Sequence, residues 1–222
     1  METKIKVLIV DDHPLVREGL RAVLSAEDDL DVVGEAENGS SAIRQCASLQ
    51  PDIILMDLLM PEMNGGEATR VILMATPEQK IIILTSVDDI DILRAAIKAG
   101  ALGYVSKNAP PSELIEAIHA VHGGSIVLPS QIARTLLHDA PALSSQVVPV
   151  DAITAREQEV LELICKGLSN AEVARELLIS PRTVSVHVSR MLDKLRLDNR
   201  TQLVLHAINT EFFHGRQSNS EK

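Results

Sequence analysis

Two hydrophobic periods alternate along the first half of the chain, and only one of them continues into the second. Short runs rich in β-branched residues at 5–10, 31–33, 52–56, 80–84 and 103–105 predict strands. Between them, apolar residues recur at helical spacing over 15–24, 40–49, 67–73, 90–99 and 113–121. Five strands alternating with five helices predict an α/β fold: a doubly wound five-stranded parallel sheet covered on both faces. Ile53, Ile54, Leu55 and Met56 read as a strand buried on both faces, and they run straight into a carboxylate, Asp57. A charge costs several kcal/mol to bury without a partner, so Asp57 needs an explanation.

Past residue 125 the alternation stops. Residues 126–138 predict a short helix after Pro129, and the segment APALSSQVVPV has prolines, small residues and no period, which predicts an exposed linker. From Asp151 onward only the helical period remains. Thr154 to Glu157 and Ser169 to Glu172 both fit the capping box, in which hydroxyl and carboxylate satisfy the two orphan N–H groups of a helix start. Ser180–Pro181 supplies a third start, and a fourth helix is expected after Asn199–Arg200. The expected organisation is a sheet domain over 1–124, a linker over 125–150, a small all-α four-helix domain over 151–214 and a disordered tail over 215–222.

Charge sharpens the division. The net charge of −10 arises wholly in residues 1–125, which hold 10 Lys and Arg against 20 Asp and Glu, whereas residues 151–222 hold 10 of each sign. Such asymmetry suggests two tasks. No apolar run reaches the ~20 residues needed to span a bilayer, and the first residues meet acidic side chains before any long apolar stretch, unlike a signal peptide. Cys46 and Cys165 lie far apart in no metal-like spacing and read as ordinary buried thiols of a cytoplasmic protein.

Asp11 and Asp12 follow the first strand directly and Asp57 follows the third, so adjacency of these strands would bring three carboxylates to one edge. Their repulsion opposes ionisation unless a cation neutralises it. A hard divalent ion with oxygen ligands, Mg²⁺, is the natural solution. Thr85 ends the fourth strand with a hydroxyl and Lys107 ends the fifth with an ammonium, which completes the parts needed to hold a phosphoryl group on a carboxylate. An isolated Asp at a strand end is usually a cap, but five polar residues at the carboxyl ends of four strands are not an isolated Asp.

These residues sit in IVDDHPLVREGL, ILMDLLMPEMNGGEA, ILTS and GYVSK, and the set resembles the receiver domain of two-component response regulators. The resemblance implies a flavodoxin-like receiver in which Asp57 takes phosphate from a sensor histidine kinase. It further implies that Asp11, Asp12, Asp57 and the Leu59 carbonyl hold Mg²⁺, that Thr85 and Lys107 bind the phosphoryl oxygens, and that Tyr104 is the aromatic switch. Asn108 stands where receivers commonly carry proline after the lysine, which leaves the geometry of that peptide bond open. Apolar Leu59 and Val87 beside the site are expected to hinder attacking water and prolong the life of the phosphorylated form.

In PRTVSVHVSRMLDKL, Val184, Val188, Met191 and Leu195 form one apolar stripe, while Arg182, Ser185, Val186 and Ser189 lie opposite, with Arg190 and Lys194 at the flank. Five basic and two acidic residues lie between Arg182 and Arg200. The stripe follows a short helix and a tight turn, the spacing of a helix-turn-helix. Residues 154–202 resemble the LuxR-type DNA-binding domain, so nearly the whole chain is similar to the NarL/LuxR-type response regulators. By that resemblance the helix enters the major groove of double-stranded promoter DNA. Arg182, Arg190 and Lys194 would contact phosphates, and Thr183, Ser185, Val186 and Ser189 would face the bases. Serine replaces a frequent lysine at 185 and discriminates bases poorly.

Leu203, Val204 and Leu205 in succession span about 200° of a helix, wider than one core-facing stripe. A homodimer formed on activation, with Leu205 and Asn209 in its interface, would use the surplus and place two readers ~34 Å apart. Phosphorylation would then free or pair the DNA-binding helix, which the acidic front domain covers at rest in the simplest scheme. Two other classes remain open at this point: a phosphohydrolase using Asp57 as nucleophile, which lacks a nearby general acid or base, and a regulator whose receiver only binds protein.

Overall fold

A computed structural model describes residues 4–86, 90–128, 153–197 and 199–209. Val87, the helix expected after Pro129, the linker from 129 to 150 and the tail over 215–222 lie outside these residues, as does the Asn209 side chain. The chain divides into two units, one around the N-terminal sheet and one formed by the C-terminal helices.

The first unit contains β1 (Ile5–Val10), α1 (Pro14–Leu24), β2 (Leu30–Ala36), α2 (Gly39–Leu49), β3 (Ile53–Met56), α3 (Gly65–Ala75), β4 (Lys80–Thr85), α4 (Ile90–Lys98), β5 (Gly103–Ser106) and α5 (Pro111–Gly123). The strands form one parallel sheet in the order β2-β1-β3-β4-β5. Every residue of β3 is buried, as its unbroken apolar run predicts for a strand covered on both faces. The chain reverses its direction of travel across the sheet at β1, so the gap at the carboxyl ends of β1 and β3 is the place where such folds collect ligands. After α5 the chain returns to the sheet edge. Val127 bridges Gly103, donating its N–H to Leu102 and accepting from the Tyr104 N–H, each at 2.9 Å. Contact with the sheet thus continues past residue 124.

Glycines account for two of the expected boundaries that fall short. β2 runs through Gly34 to Ala36 rather than ending at 33, because a Cβ on Gly34 would stand 2.5 Å from the Leu49 side chain of α2. α3 starts at Gly65, two residues before the expected position. Glycines have poor helix propensity, but Asn64 caps this start by accepting from the Glu67 N–H at 2.9 Å. A Cβ on Gly65 would collide with the Asp57 carbonyl oxygen, and the Gly65 N–H donates to the Leu58 carbonyl at 3.0 Å. The absent side chain lets α3 press against the backbone that carries Asp57.

The second unit contains α6 (Ala155–Cys165), α7 (Asn170–Glu176), α8 (Pro181–Leu195) and α9 (Arg200–Asn209). Both expected capping boxes are formed, and Ser180 caps α8 with Pro181 in its first turn. Val184, Val188, Met191 and Leu195 are buried against Val160, Leu161, Ile164, Val173 and Leu203. Leu178 takes a left-handed φ of 54° in the turn between α7 and α8, and the Ile179 N–H closes the turn on the Ala174 carbonyl at 2.9 Å. Cys46 is buried and Cys165 partly so, and burial pushes both thiols up, Cys165 to about 12.

Glu157 is 3% exposed and does more than cap α6. Its carboxylate accepts from the Thr154 N–H at 2.8 Å, from the Thr154 hydroxyl at 2.9 Å and from Lys194 Nζ at 2.6 Å. Burial would raise its pKa, but Lys194 and Thr154 outweigh burial and hold it below the usual carboxylate range.

Gly65→Ala should cost about 1–3 kcal/mol by overpacking, whereas Gly19→Ala, with nothing within 4 Å of the new Cβ, should stabilise α1 by up to about 1 kcal/mol. Urea unfolding of the full chain separates the two, and equal effects would contradict the packing argument. Glu157→Gln should cost the helical unit about 1.5–3 kcal/mol at neutral pH. The folded carboxyl ionises more readily than the unfolded one, so its contribution is complete above the ordinary glutamate value. It disappears as pH falls through the lowered folded value. Calorimetric melts should therefore show wild type and variant converging below about pH 4.

Candidate functional site

The parallel register dictates which residues meet. Val10 pairs with Met56, so Asp11 and Asp57 emerge side by side from neighbouring strands. The Asp57 N–H donates to the Val10 carbonyl at 2.9 Å and the Asp11 N–H to the Ala36 carbonyl at 3.0 Å, which holds both backbones at the sheet edge. Asp11 is 1% and Asp57 3% exposed, whereas Asp12 is partly exposed. Thr85 is buried at the end of β4 and pairs in register with Ser106, and the Lys107 N–H donates to the Thr85 carbonyl at 3.1 Å. Ser106 Oγ accepts from the Asn108 N–H at 3.2 Å and steadies the turn that follows, in which the Lys107–Asn108 peptide is trans.

That turn aims Lys107 back across the sheet. Its ammonium lies 2.7 Å from Asp11 Oδ2 and donates to Asp57 Oδ2 at 2.8 Å. Burial pulls the Lys107 pKa down, but Asp11 and Asp57 outweigh it, and the net shift is upward. The notch thus carries its own cation. Three carboxylates still face one ammonium, and single donor atoms of Asp11, Asp12, His13 and Asp57 lie within 4.8 Å of one another. Buried anionic oxygens in excess of their protein cation suit a hard divalent ion, so the donor set fits Mg²⁺. Tyr104 stands in β5 opposite Ile83, half-buried, with its backbone N–H on Val127.

Arg17 and Gly65 were not singled out from sequence. Arg17 donates through Nη1 to the Asp11 carbonyl at 2.7 Å and through Nε to Glu35 of β2 at 3.2 Å, pinning the acidic loop to its neighbouring strand. Nothing local in the sequence marks an arginine one turn into a helix for this task. Gly65 did leave a signal, since Asn-Gly is turn chemistry, and the quoted stretch contains NGG.

In the helical unit, Arg182, Val186, Ser189 and Arg190 are exposed on α8, with Val186 at 43%. Thr183 is half-buried and its N–H bonds the Ser180 cap at 3.0 Å. Ser185 Oγ donates to the Pro181 carbonyl and accepts from Asn170 Nδ2, both at 3.2 Å. Arg200 in turn donates to Asn170 Oδ1 at 2.6 Å and to the Leu168 carbonyl at 2.9 Å, and burial lowers its pKa to about 10, so it stays charged. Ser185 and Lys194 are therefore engaged inside the fold, the latter by Glu157. On α9, Leu203 is buried, Val204 packs against the core, and Leu205 is half-buried outside the core cluster. No helix among the described residues is long and apolar enough to cross a membrane.

Comparison with known proteins agrees with both halves. The family described as response regulator receiver domain matches residues 7–119, and that described as bacterial regulatory proteins, luxR family, matches residues 151–207. The transcriptional regulatory protein LiaR of Bacillus subtilis is 41% identical, over 91% of this chain and 96% of that protein. The response regulator protein VraR of Staphylococcus epidermidis is 39% identical over the same shares, 91% and 96%. Among solved structures, the response regulator ChrA of a heme-sensing two-component system is 36% identical, with a TM-score of 0.52, covering 93% of this chain and 98% of that one. RcsB in its complex with DNA is 28% identical, with a TM-score of 0.55, covering 94% of this chain and 100% of that one. A receiver fold with its acidic notch, a capped helix-turn-helix and relatives matched along nearly their whole length lead to one conclusion: the chain belongs to the NarL/LuxR-type two-component response regulators, DNA-binding regulators of transcription rather than enzymes.

Proposed function

We propose that Asp57 is the phosphoacceptor of this regulator and that its occupancy controls promoter binding. The observation that carries the reading is the Lys107 ammonium bonded to the buried Asp57 carboxylate, with Asp11 on its other side. An Asp57 oxygen attacks the phosphorus carried by a histidine of the sensor kinase; the P–O bond forms as the P–N bond breaks. Lys107 and the Thr85 hydroxyl then bind the phosphoryl oxygens. Asp11, Asp12, Asp57 and the Leu59 carbonyl are the residues that would hold Mg²⁺, which when bound neutralises phosphoryl charge. Charge-assisted bonds of about 1.5–3 kcal/mol each supply much of the ~5.5 kcal/mol needed to move a population from 1% to 99% active, with Tyr104 as the switch residue.

The active form is a homodimer through α9, with Leu205 and Asn209 in the contact, acting on promoter DNA in the cytoplasm. On α8, Arg182 and Arg190 meet phosphates, while Val186 and Ser189 face base edges beside Thr183 and Ser185. An apolar Val186 suits a thymine methyl. Lys194 would join the phosphate contacts with an ammonium it already shares with Glu157.

Incubating the full chain with Mg²⁺ and a small acyl phosphate should add one phosphoryl mass, located at residue 57 by peptide mapping. Asp57→Ala should abolish the gain and the phosphodonor-dependent rise in DNA affinity; DNA binding that is the same with and without the phosphodonor, in wild type and variant alike, would favour a receiver that only binds protein. Arg190→Ala should lower the slope of log affinity against log salt by about one and leave sequence preference unaltered. Loss of preference without a change of slope would place Arg190 on a base instead.

A further inference from the structure

Ser185 differs from its neighbours on the outer side of α8. Arg182 and Ser189, three and four positions away on the same helix face, are exposed, whereas Ser185 is half-buried and has two partners within the fold. Its Oγ donates to the Pro181 carbonyl and accepts from Asn170 Nδ2, both at 3.2 Å. The direction of the second bond is fixed from behind. Arg200 carries only donors; its Nη1 lies 2.6 Å from Asn170 Oδ1, while its Nη2 holds the Leu168 carbonyl at 2.9 Å. The amide must turn its oxygen to Arg200, which leaves its nitrogen, a donor as well, facing Ser185.

A serine hydroxyl has one proton and two lone pairs. Here the proton goes to Pro181 and one lone pair to Asn170, so a single lone pair remains for an outside partner. In the major groove, adenine N6 and cytosine N4 present amine donors, whereas the polar edges of guanine and thymine there are acceptors only. We infer that Ser185, tethered by Pro181 and Asn170, reads its base as an acceptor and selects adenine or cytosine over guanine or thymine on the strand it faces. Asn170 is the positioning residue. Without its bond the hydroxyl is free to turn outward and offer its proton to a guanine or thymine acceptor. An untethered serine can donate or accept; the fold removes one of the two roles. The inference rests on α8 being the helix that reads DNA. It concerns the base chosen at one position, not whether the chain binds DNA.

The test selects binding sites from random double-stranded DNA with the full chain treated with Mg²⁺ and a small acyl phosphate. Wild type is compared with Ser185→Ala, Asn170→Ala and Val186→Ala. In wild type one position of the half-site should favour A or C over G or T by about three- to tenfold, the range of a single hydrogen bond. Ser185→Ala should level that position and spare the others. Asn170→Ala leaves the Ser169 cap of α7 in place and should lower the same preference to less than about twofold. General loosening of the domain would instead weaken every position together. A preference for A or C retained in Asn170→Ala overturns the positioning role of Asn170. If the position levelled by Ser185→Ala had favoured G or T, the hydroxyl donates and the inference falls. Selection unchanged by Ser185→Ala but stripped of a thymine by Val186→Ala also overturns it, and leaves α8 as the reading helix. Selection that yields no common sequence, or one indifferent to both of those variants, removes α8 from the groove and the inference with it.

Discussion

Much of this molecule is arranged around one ammonium group held between two buried carboxylates. Lys107 reaches Asp11 and Asp57 only because β5 ends in a turn tied by Ser106 and by the Thr85 carbonyl, and because β1 and β3 run side by side in register. Without that cation, two acidic groups at 1% and 3% exposure would repel each other in a medium that screens poorly. With it, the notch is stable and still anionic, since Asp12 adds a third carboxylate. A site balanced in this way has the donor set that suits a divalent ion, and its lysine lies within reach of any new oxygen atoms on Asp57. One contact therefore links the stability of the sheet edge to the chemistry proposed for it.

The helical unit uses the same device for a different end. Lys194 neutralises Glu157, which also caps α6, and Arg200 reaches through Asn170 to Ser185. These bonds fasten α8 to α6, α7 and α9, and so set the pitch at which the helix presents its outer face. They also draw polar groups inward. Of the residues the sequence offers to DNA, Ser185 and Lys194 have partners within the fold, and Arg182, Val186, Ser189 and Arg190 remain exposed. If the outer face of α8 reads DNA as proposed, one apolar contact, one serine and two arginines would depend more on backbone charge and methyl groups than on bidentate base pairing.

Regular structure was legible in the sequence because it is written in local period. Ile53 to Met56 read as a strand buried twice over, and the hydroxyl–carboxylate pairs at 154–157 and 169–172 announced two helix starts that the structure contains. Two boundaries were missed at glycines, whereas α5 outruns the expected 113–121 at both ends, from Pro111 to Gly123. Gly34 and Gly65 are poor in propensity, and each is required by a neighbour distant in sequence: Leu49 and Gln45 in one case, the Asp57 carbonyl in the other.

By itself the sequence determined two domains of different class, the strand ends that bear Asp11, Asp57, Thr85 and Lys107, and the basic helix with its apolar stripe. Each of these follows from periodicity, caps or a motif within a short window. Only the tertiary structure decided that Lys107 serves two aspartates at once, that Arg17 pins the acidic loop to Glu35, and that Lys194 belongs to Glu157. Partners separated by 6 to 96 residues are chosen by strand register and helix packing, and a side chain's charge says what it will bond but not which partner stands within reach.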